Sequence, residues 1–305
     1  MLRYALRRLL TIIPTLFAVI TLTFFLMRVA PGGPFDEERP LAPSVLENIR
    51  ASYGLDKPLV EQYFSYIGNL LQGDLGPSFV YRDKRVQDVL AEGLPISITL
   101  GGTALILALI IGVLLGSVAA LNQNKRTDVA IVTFATFGIT TPNYVVAPIL
   151  TLVFALTFSL LPATGWGTPQ QVILPVISLA LPQIAIVTRL MRGSMLEALK
   201  SDHVRTARAY GLPLHKVVGK HAMRSALLPV LSYLGPAAAA LMTGSIVIEQ
   251  IFNLPGIGRY FVTSALNRDY TMVMGTVIII STLILVFNLI VDLLYSVLDP
   301  RVRFD

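Results

Sequence analysis

The chain has 305 residues, of which 54% are hydrophobic and only 14% charged, against about 25% charged in a soluble domain. A mean hydropathy of +0.70 exceeds what one soluble core of this size can enclose, since apolar groups would also have to form its surface; the composition therefore excludes a soluble enzyme and describes an integral membrane protein. The net charge of +6 then belongs to loops beside the membrane rather than to a nucleic-acid surface, and the absence of cysteine removes disulfides, thiolate metal sites and thiol catalysis.

A membrane-crossing helix needs about 20 largely apolar residues. Six runs qualify: 9–27, 96–121, 137–161, 172–188, 227–248 and 272–298. The first follows Arg3, Arg7 and Arg8, as a signal peptide would. Its apolar stretch is longer than a signal core, and Pro31-Gly32-Gly33-Pro34 follows where a small-x-small cleavage site would stand, so it reads as an uncleaved helix. The third run admits an earlier start at Val129 with a break at Thr140-Thr141-Pro142-Asn143. The fourth is the shortest and carries Pro175 and Pro182, which fit a bundle whose neighbouring helices satisfy the freed carbonyls. In the second run Ala108, Gly112, Gly116 and Ala120 recur every four residues, the small-xxx-small spacing that lets helices approach closely. Ala237 to Ala240 with Gly244 predicts a second close contact, and tight packing within the chain outweighs a subunit interface as the use of both.

Six crossings place both termini on one side. Fifteen of the 24 Lys and Arg fall on that side with five acids, for a net +10; the other side has nine with twelve acids, for a net −3, and Asp292 is left within a run. The positive-inside rule puts the basic side, and both termini, in the cytoplasm. A loop over 30–95 is then external and one over 189–226 internal. In the external loop Leu59, Val60, Tyr63, Phe64, Ile67, Leu70 and Leu71 fall near helical spacing, between Pro58 and the turn Gly73-Asp74-Leu75-Gly76-Pro77. Such an amphipathic segment either lies on the bilayer or caps the bundle, or else receives an external partner, with Tyr63, Phe64, Asp74 and Gly76 as the docking residues.

The internal loop holds all three histidines and only Glu197 and Asp202 as acids. Helical pieces are expected over 194–210 and 214–228, split by Gly211-Leu212-Pro213, with Gly211 at a helix C-terminus and Pro213 in the next first turn. Its charge alone suits anionic lipid or a protein partner. His203, His215 and His221 follow no metal-ligand spacing. No phosphate-binding G-x-x-x-x-G-K-[ST] and no H-E-x-x-H occurs, so no catalytic residue is assigned. Asp292 is the one acid deep in a run, with Asn288 a turn earlier; the two serve either helix pairing, the favoured role, or a substrate path. Glu249 and Arg28 stand near outer ends of their runs, where the interface is within reach.

Asp202-His203-Val204-Arg205-Thr206-Ala207-Arg208-Ala209-Tyr210-Gly211-Leu212 resembles the "EAA" coupling loop of ABC importer permeases, in the form found in the peptide-transporting branch. Here Arg205 replaces the glutamate of the generic loop and Tyr210 stands where that branch often has lysine. Arg28-Val29-Ala30-Pro31-Gly32, Tyr53-Gly54-Leu55-Asp56-Lys57-Pro58, Gly73-Asp74-Leu75-Gly76-Pro77-Ser78, Glu249 with Leu254-Pro255-Gly256-Ile257-Gly258, Asn267-Arg268-Asp269-Tyr270 and Asp299-Pro300-Arg301 resemble the family elsewhere, along nearly the whole chain. The resemblance implies an all-α transmembrane bundle of the type I, EAA-loop architecture, forming a single permease domain over 1–305 in the bacterial cytoplasmic (inner) membrane. It further implies a second homologous permease subunit, two cytosolic ATPase subunits that bind ATP and Mg, an external periplasmic peptide-binding protein, and an oligopeptide substrate. Asp202, Arg205, Thr206, Ala207, Arg208 and Gly211 are implied as the ATPase-coupling residues, Ala207 being small enough for close approach. Lipid contact becomes a side role, and no cofactor or nucleic acid is expected on this chain. Import of dipeptides, nickel or glutathione is the alternative within the class; an ion-coupled transporter half or a channel subunit is the distant one.

Overall fold

The computed structural model describes residues 2–29, 47, 54–81, 84–242 and 246–298. Every regular element among them is helical, the sole extended pairing being an isolated bridge between Pro77 and Arg85. In chain order they are α1 (Leu2–Val29), α2 (Leu59–Leu71), α3 (Val86–Leu121), α4 (Arg126–Thr140), α5 (Asn143–Leu150), α6 (Pro169–Lys200), α7 (Asp202–Ala209), α8 (Leu214–Lys216), α9 (Met223–Ala226), α10 (Leu228–Met242), α11 (Ile246–Ile251), α12 (Ile257–Leu266) and α13 (Tyr270–Leu298). Thr151–Thr157 and Val217–Ala222 are π-helical continuations of α5 and α8. Five stretches are long and apolar enough to cross a membrane, and the bent pair α4–α5 is a sixth if counted as one crossing. The chain is thus a multi-pass membrane protein with five or six crossings among the described residues, against the six expected.

Two spans differ from expectation in length. α3 starts at Val86, ten residues before the apolar run, so the stretch up to Pro95 belongs to the helix rather than to a loop. α6 runs past residue 188 to Lys200. At 1.5 Å per residue the two helices measure about 54 and 48 Å, beyond the ~30 Å hydrocarbon layer. Arg189 and Arg192 follow the apolar run in the sequence, and α6 continues past them as a helix. The third span breaks where proline demands it. Thr141, before Pro142, is driven into the extended region (φ −86, ψ 116) because the proline ring excludes a helical predecessor, and α5 leaves at 103° to α4.

The spine of the bundle is α3 against α6, the most extensive helix pair. Ala108, Gly112, Gly116 and Ala120 are all buried. A Cβ on Gly112 would collide with Val187, and one on Gly116 with Met191 and the carbonyl of Thr188. The predicted seam is therefore an intrachain contact at backbone distance. The second seam forms as well: Ala237, Ala238 and Ala239 of α10 are buried, and Gly101 of α3 abuts the backbone of Leu241 and Met242. Gly244, assigned to that contact from sequence, lies outside the described residues. α13 closes the bundle against α10 and α1. α1 sits peripherally, with Leu10, Leu22, Leu26 and Val29 exposed outward as expected for a lipid-facing helix. Residues 122–126 and 200–226 share one end, called here the basic end; α2, α12 and the start of α13 lie at the opposite, acidic end.

The seam makes a direct prediction. Gly116→Val puts three carbons where Met191 and the Thr188 carbonyl already sit, an overpacking that costs about 1–3 kcal/mol or more. Gly193→Ala, where the added Cβ meets nothing within 4 Å, should be neutral or stabilising by up to about 1 kcal/mol. Thermal unfolding in detergent should separate the two; equal melting temperatures would show that the α3–α6 approach carries no energetic weight.

Candidate functional site

α7 is set off from α6 by one residue. Ser201 leaves helical geometry (φ −67, ψ 153) and its hydroxyl donates to the carbonyl of Ala198 at 2.6 Å. The helix expected over 194–210 is therefore two helices with a corner between them. Val204 and Ala207 turn inward, buried against Met195, Ala198, Val217 and Ala222. Ala207, expected to face a partner, instead supplies the small side chain that lets α7 lie close to the 217–226 segment. The outward face carries Asp202, Arg205, Thr206 and Arg208, all exposed. Arg205 stands 3.9 Å from Asp202, a surface pair with both side chains largely solvated and of little energetic weight.

The helix end is closed as Gly211 requires. Its N–H donates to the carbonyl of Arg208 (2.9 Å), Leu212 N–H donates to that of Ala207 (3.4 Å), and Gly211 takes φ +73. This double closure with a left-handed residue is the Schellman arrangement that glycine favours. Pro213 sits just before the next helix rather than inside its first turn. The turn projects Tyr210, 82% exposed, with Leu212 and Leu214 also exposed. This apolar cluster stands beside arginines at the basic end. His203 Nε2 lies 3.4 Å from the carbonyl of His221, and among the described residues no three His, Asp or Glu side chains gather as a metal site.

Two polar contacts brace α6 behind this corner. Asp128, 3% exposed at its side chain, accepts two hydrogen bonds from the Arg192 guanidinium, at 2.6 and 2.7 Å, and a third from Asn124 N–H at 2.9 Å. Ser194 donates to the carbonyl of Ala226 at 2.6 Å. Sequence reasoning sorted Asp128 and Arg192 only as loop charges. The usable signal was that Asp128 is the sole acid between Glu92 and Glu197.

At the acidic end, the expected docking residues separate. Tyr63 is held by α1: its hydroxyl lies 2.7 Å from Thr21 Oγ1 and its ring stacks on Phe25. Phe64 is 67% exposed. Asp74 and Gly76 form one turn, Asp74 accepting from Gly76 N–H (2.9 Å) and Arg85 (3.1 Å), with Gly76 at φ +89. Asn288 and Asp292 lie half-buried on α13, and Asp299-Pro300-Arg301 lies outside the described residues.

Glu249 corrects the expectation that it reaches the interface: it is fully buried. Ser97 of α3 donates to its Oε1 (2.7 Å) and Arg259 N–H to its Oε2 (3.0 Å), while Ile257 N–H donates to Ser97 Oγ (3.0 Å). A Cβ on Gly256 would strike the carboxyl group, so this glycine is the space the carboxylate occupies. Asp269, also fully buried, caps α13 by accepting from Met272 N–H (3.1 Å) and ties in residues 78–80 through Ser78 and Val80 N–H (3.3 Å). Glu249→Ala strands the Ser97 hydroxyl and the Arg259 N–H, at about 1–3 kcal/mol, and Gly256→Ala clashes with the carboxyl. The double variant should lose less stability than the sum of the two losses, because the clash disappears with the carboxyl. Additive losses in a melting series would mean that the two residues do not meet.

Comparison with known proteins accords with this architecture. The family described as "Binding-protein-dependent transport system inner membrane component" matches residues 112–304, and its N-terminal counterpart, "Binding-prot-dependent transport system membrane comp, N-term", matches residues 1–101. The "Oligopeptide transport system permease protein OppB" of Salmonella typhimurium is 52% identical, and that of Haemophilus influenzae 50%, each alignment covering 100% of both chains. Among solved structures, a chain of the MetNI methionine ABC transporter superposes with a TM-score of 0.58 at 12% identity, covering 70% of this chain and 97% of that one, a likeness of fold. With both halves of the family matched and the fold shared, the chain belongs to the inner-membrane components of binding-protein-dependent transport systems.

Proposed function

We propose that this chain is the permease subunit of an ATP-driven oligopeptide importer, working with a second homologous permease, two cytosolic ATPase subunits that hold ATP and Mg, and an external peptide-binding protein. The observation that carries the reading is the full-length identity of 50–52% to permeases named for oligopeptide transport. The excess of Lys and Arg at the basic end supports a cytoplasmic placement for it and for both termini.

In this reading the ATPase cleft receives the outward face of α7 and the turn after it. Tyr210, Leu212 and Leu214 supply apolar contact, a kind of surface that soluble-facing regions rarely leave uncovered. Arg205 and Arg208 supply charge toward an acidic partner. Movement of α7 reaches the membrane through α6, since only Ser201 separates them and the Asp128–Arg192 pair with the Ser194–Ala226 bond stiffens the joint. The glycine seam passes the movement to α3, so the two spans swing as one body, as alternating access requires. The peptide crosses between the two permeases, and selectivity resides chiefly in the external binding protein.

The test is peptide uptake into proteoliposomes holding the assembled complex. Gly211→Val has room for its side chain, since a Cβ there meets nothing within 4 Å, but it must adopt a left-handed conformation at about 1–2 kcal/mol. It should cut ATP-driven uptake severalfold with insertion unchanged, and Gly211→Asn, which tolerates that conformation, should lose less. Wild-type uptake by the valine variant would remove α7 as the coupling element. Uptake that continued after ATP depletion, with the proton gradient held, would remove the whole reading.

A further inference from the structure

A cavity of about 240 Å³ lies at the acidic end, lined by residues of α1, α2, the 74–79 turn and the start of α13. Arg28, in the last turn of α1, faces it. The Arg28 Nε donates to Gln62 Oε1 at 2.9 Å, one terminal nitrogen lies 3.9 Å from the Met274 sulfur, and the guanidinium lies 3.9 Å over the Phe24 ring. Among the described residues no carboxylate pairs with it. The other charges on the cavity wall are answered: Asp74 by Arg85 at 3.1 Å, and Lys57 by Glu61 at 2.7 Å. Among the described residues this half-buried cation has no carboxylate beside it, an arrangement that favours an anion in the cavity.

A second, independent feature points the same way. The Tyr66 hydroxyl, on the same wall, is buried with no hydrogen-bond partner among the described residues. Burial pushes this phenol up to about 12, so it remains a protonated donor. Ser65 and Asn69 add further polar groups to the lining.

The orientation of α2 identifies the surroundings. Gln62, Ser65, Tyr66 and Asn69 lie on its cavity face, whereas Val60, Phe64 and Leu71 point away and are 62%, 67% and 84% exposed. A helix that packs Tyr66, Ile67 and Leu70 inward and leaves Val60, Phe64 and Leu71 exposed beside exposed polar groups suits the boundary between headgroups and acyl chains. Leu22, Leu26 and Val29 of α1, likewise exposed, continue that apolar surface beside Arg28. A planar guanidinium with free N–H groups matches the oxygens of a phosphate, and the tyrosine hydroxyl offers a donor from another direction.

We propose that this cavity binds the phosphate of a phospholipid headgroup, with Arg28 and Tyr66 as its principal donors. The site anchors the α1–α2 corner to the membrane surface and is independent of which solute the transporter carries. The phosphate comes from lipid or from solution, and one experiment separates the sources. The assembled complex is placed in nanodiscs containing phosphatidylglycerol, extracted into neutral detergent, and its retained lipid read by native mass spectrometry and phosphorus NMR. Wild type should retain phosphatidylglycerol, and Arg28→Gln and Tyr66→Phe should each weaken retention roughly tenfold, the loss expected for one charge-assisted or buried hydrogen bond. Tyr66→Phe keeps the aromatic packing, so it decides the matter if the arginine variant does not assemble. Competitive displacement of the lipid by inorganic phosphate, in wild type only, would uphold the phosphate site, whereas a wild type that retains no phosphatidylglycerol but binds inorganic phosphate would overturn the lipid as its source. Equal retention in wild type and Tyr66→Phe would overturn the proposal, as would displacement by acetate as readily as by phosphate.

Discussion

The close approach of α3 and α6 is the constraint on which the rest of the bundle rests. In lipid no hydrophobic force drives helices together, because acyl chains are as apolar as leucine, so association depends on van der Waals contact at short range. Gly112 and Gly116 allow that contact by removing the only atoms that would prevent it. Once these two long helices are locked, α4 and α5 pack on α6, α10 packs on α3, and α13 closes against α10. The corner at Ser201 acquires a stable base from the same contact, since α7 is the direct continuation of one partner.

Buried carboxylates at the ends of the bundle hold what the seam does not. Glu249, Asp269 and Asp128 are each almost wholly enclosed and each accepts hydrogen bonds from backbone N–H groups of a turn. A carboxylate accepts several donors at once, so one side chain satisfies backbone groups that irregular segments leave open. Asp128 adds the Arg192 fork, which makes it the brace behind the coupling corner. Irregular segments at the ends of the bundle thus end on fixed polar posts rather than on apolar contact alone.

Much of the fold was legible before any coordinates. Apolar length alone marked the spans, four-residue spacing of small residues marked the α3 seam, and Gly211 marked the end of α7 because no other residue fits a left-handed closing position so readily. The break at Thr141-Pro142 followed from proline sterics. The helices α3 and α6 run beyond the apolar runs, to Val86 and Lys200, because hydropathy marks apolar length and not helix ends. Ala207, expected at a partner contact, is instead buried within the chain, because small size alone does not say which neighbour a residue lies against.

The sequence by itself determined the solvent, the apolar runs and the charge asymmetry, because all three depend on local composition and short-range spacing. Only the tertiary structure decided the surroundings of Glu249, Asp128 and Arg28. Each is one polar residue near a span end, and its chemistry depends on partners far along the chain: Ser97 and the 256–259 turn for Glu249, Arg192 for Asp128, and for Arg28 a cavity wall with an unanswered tyrosine beside it. A single charge at a span end has the same local sequence whether it reaches water, a buried turn or an empty cavity; only packing over long sequence distances distinguishes them.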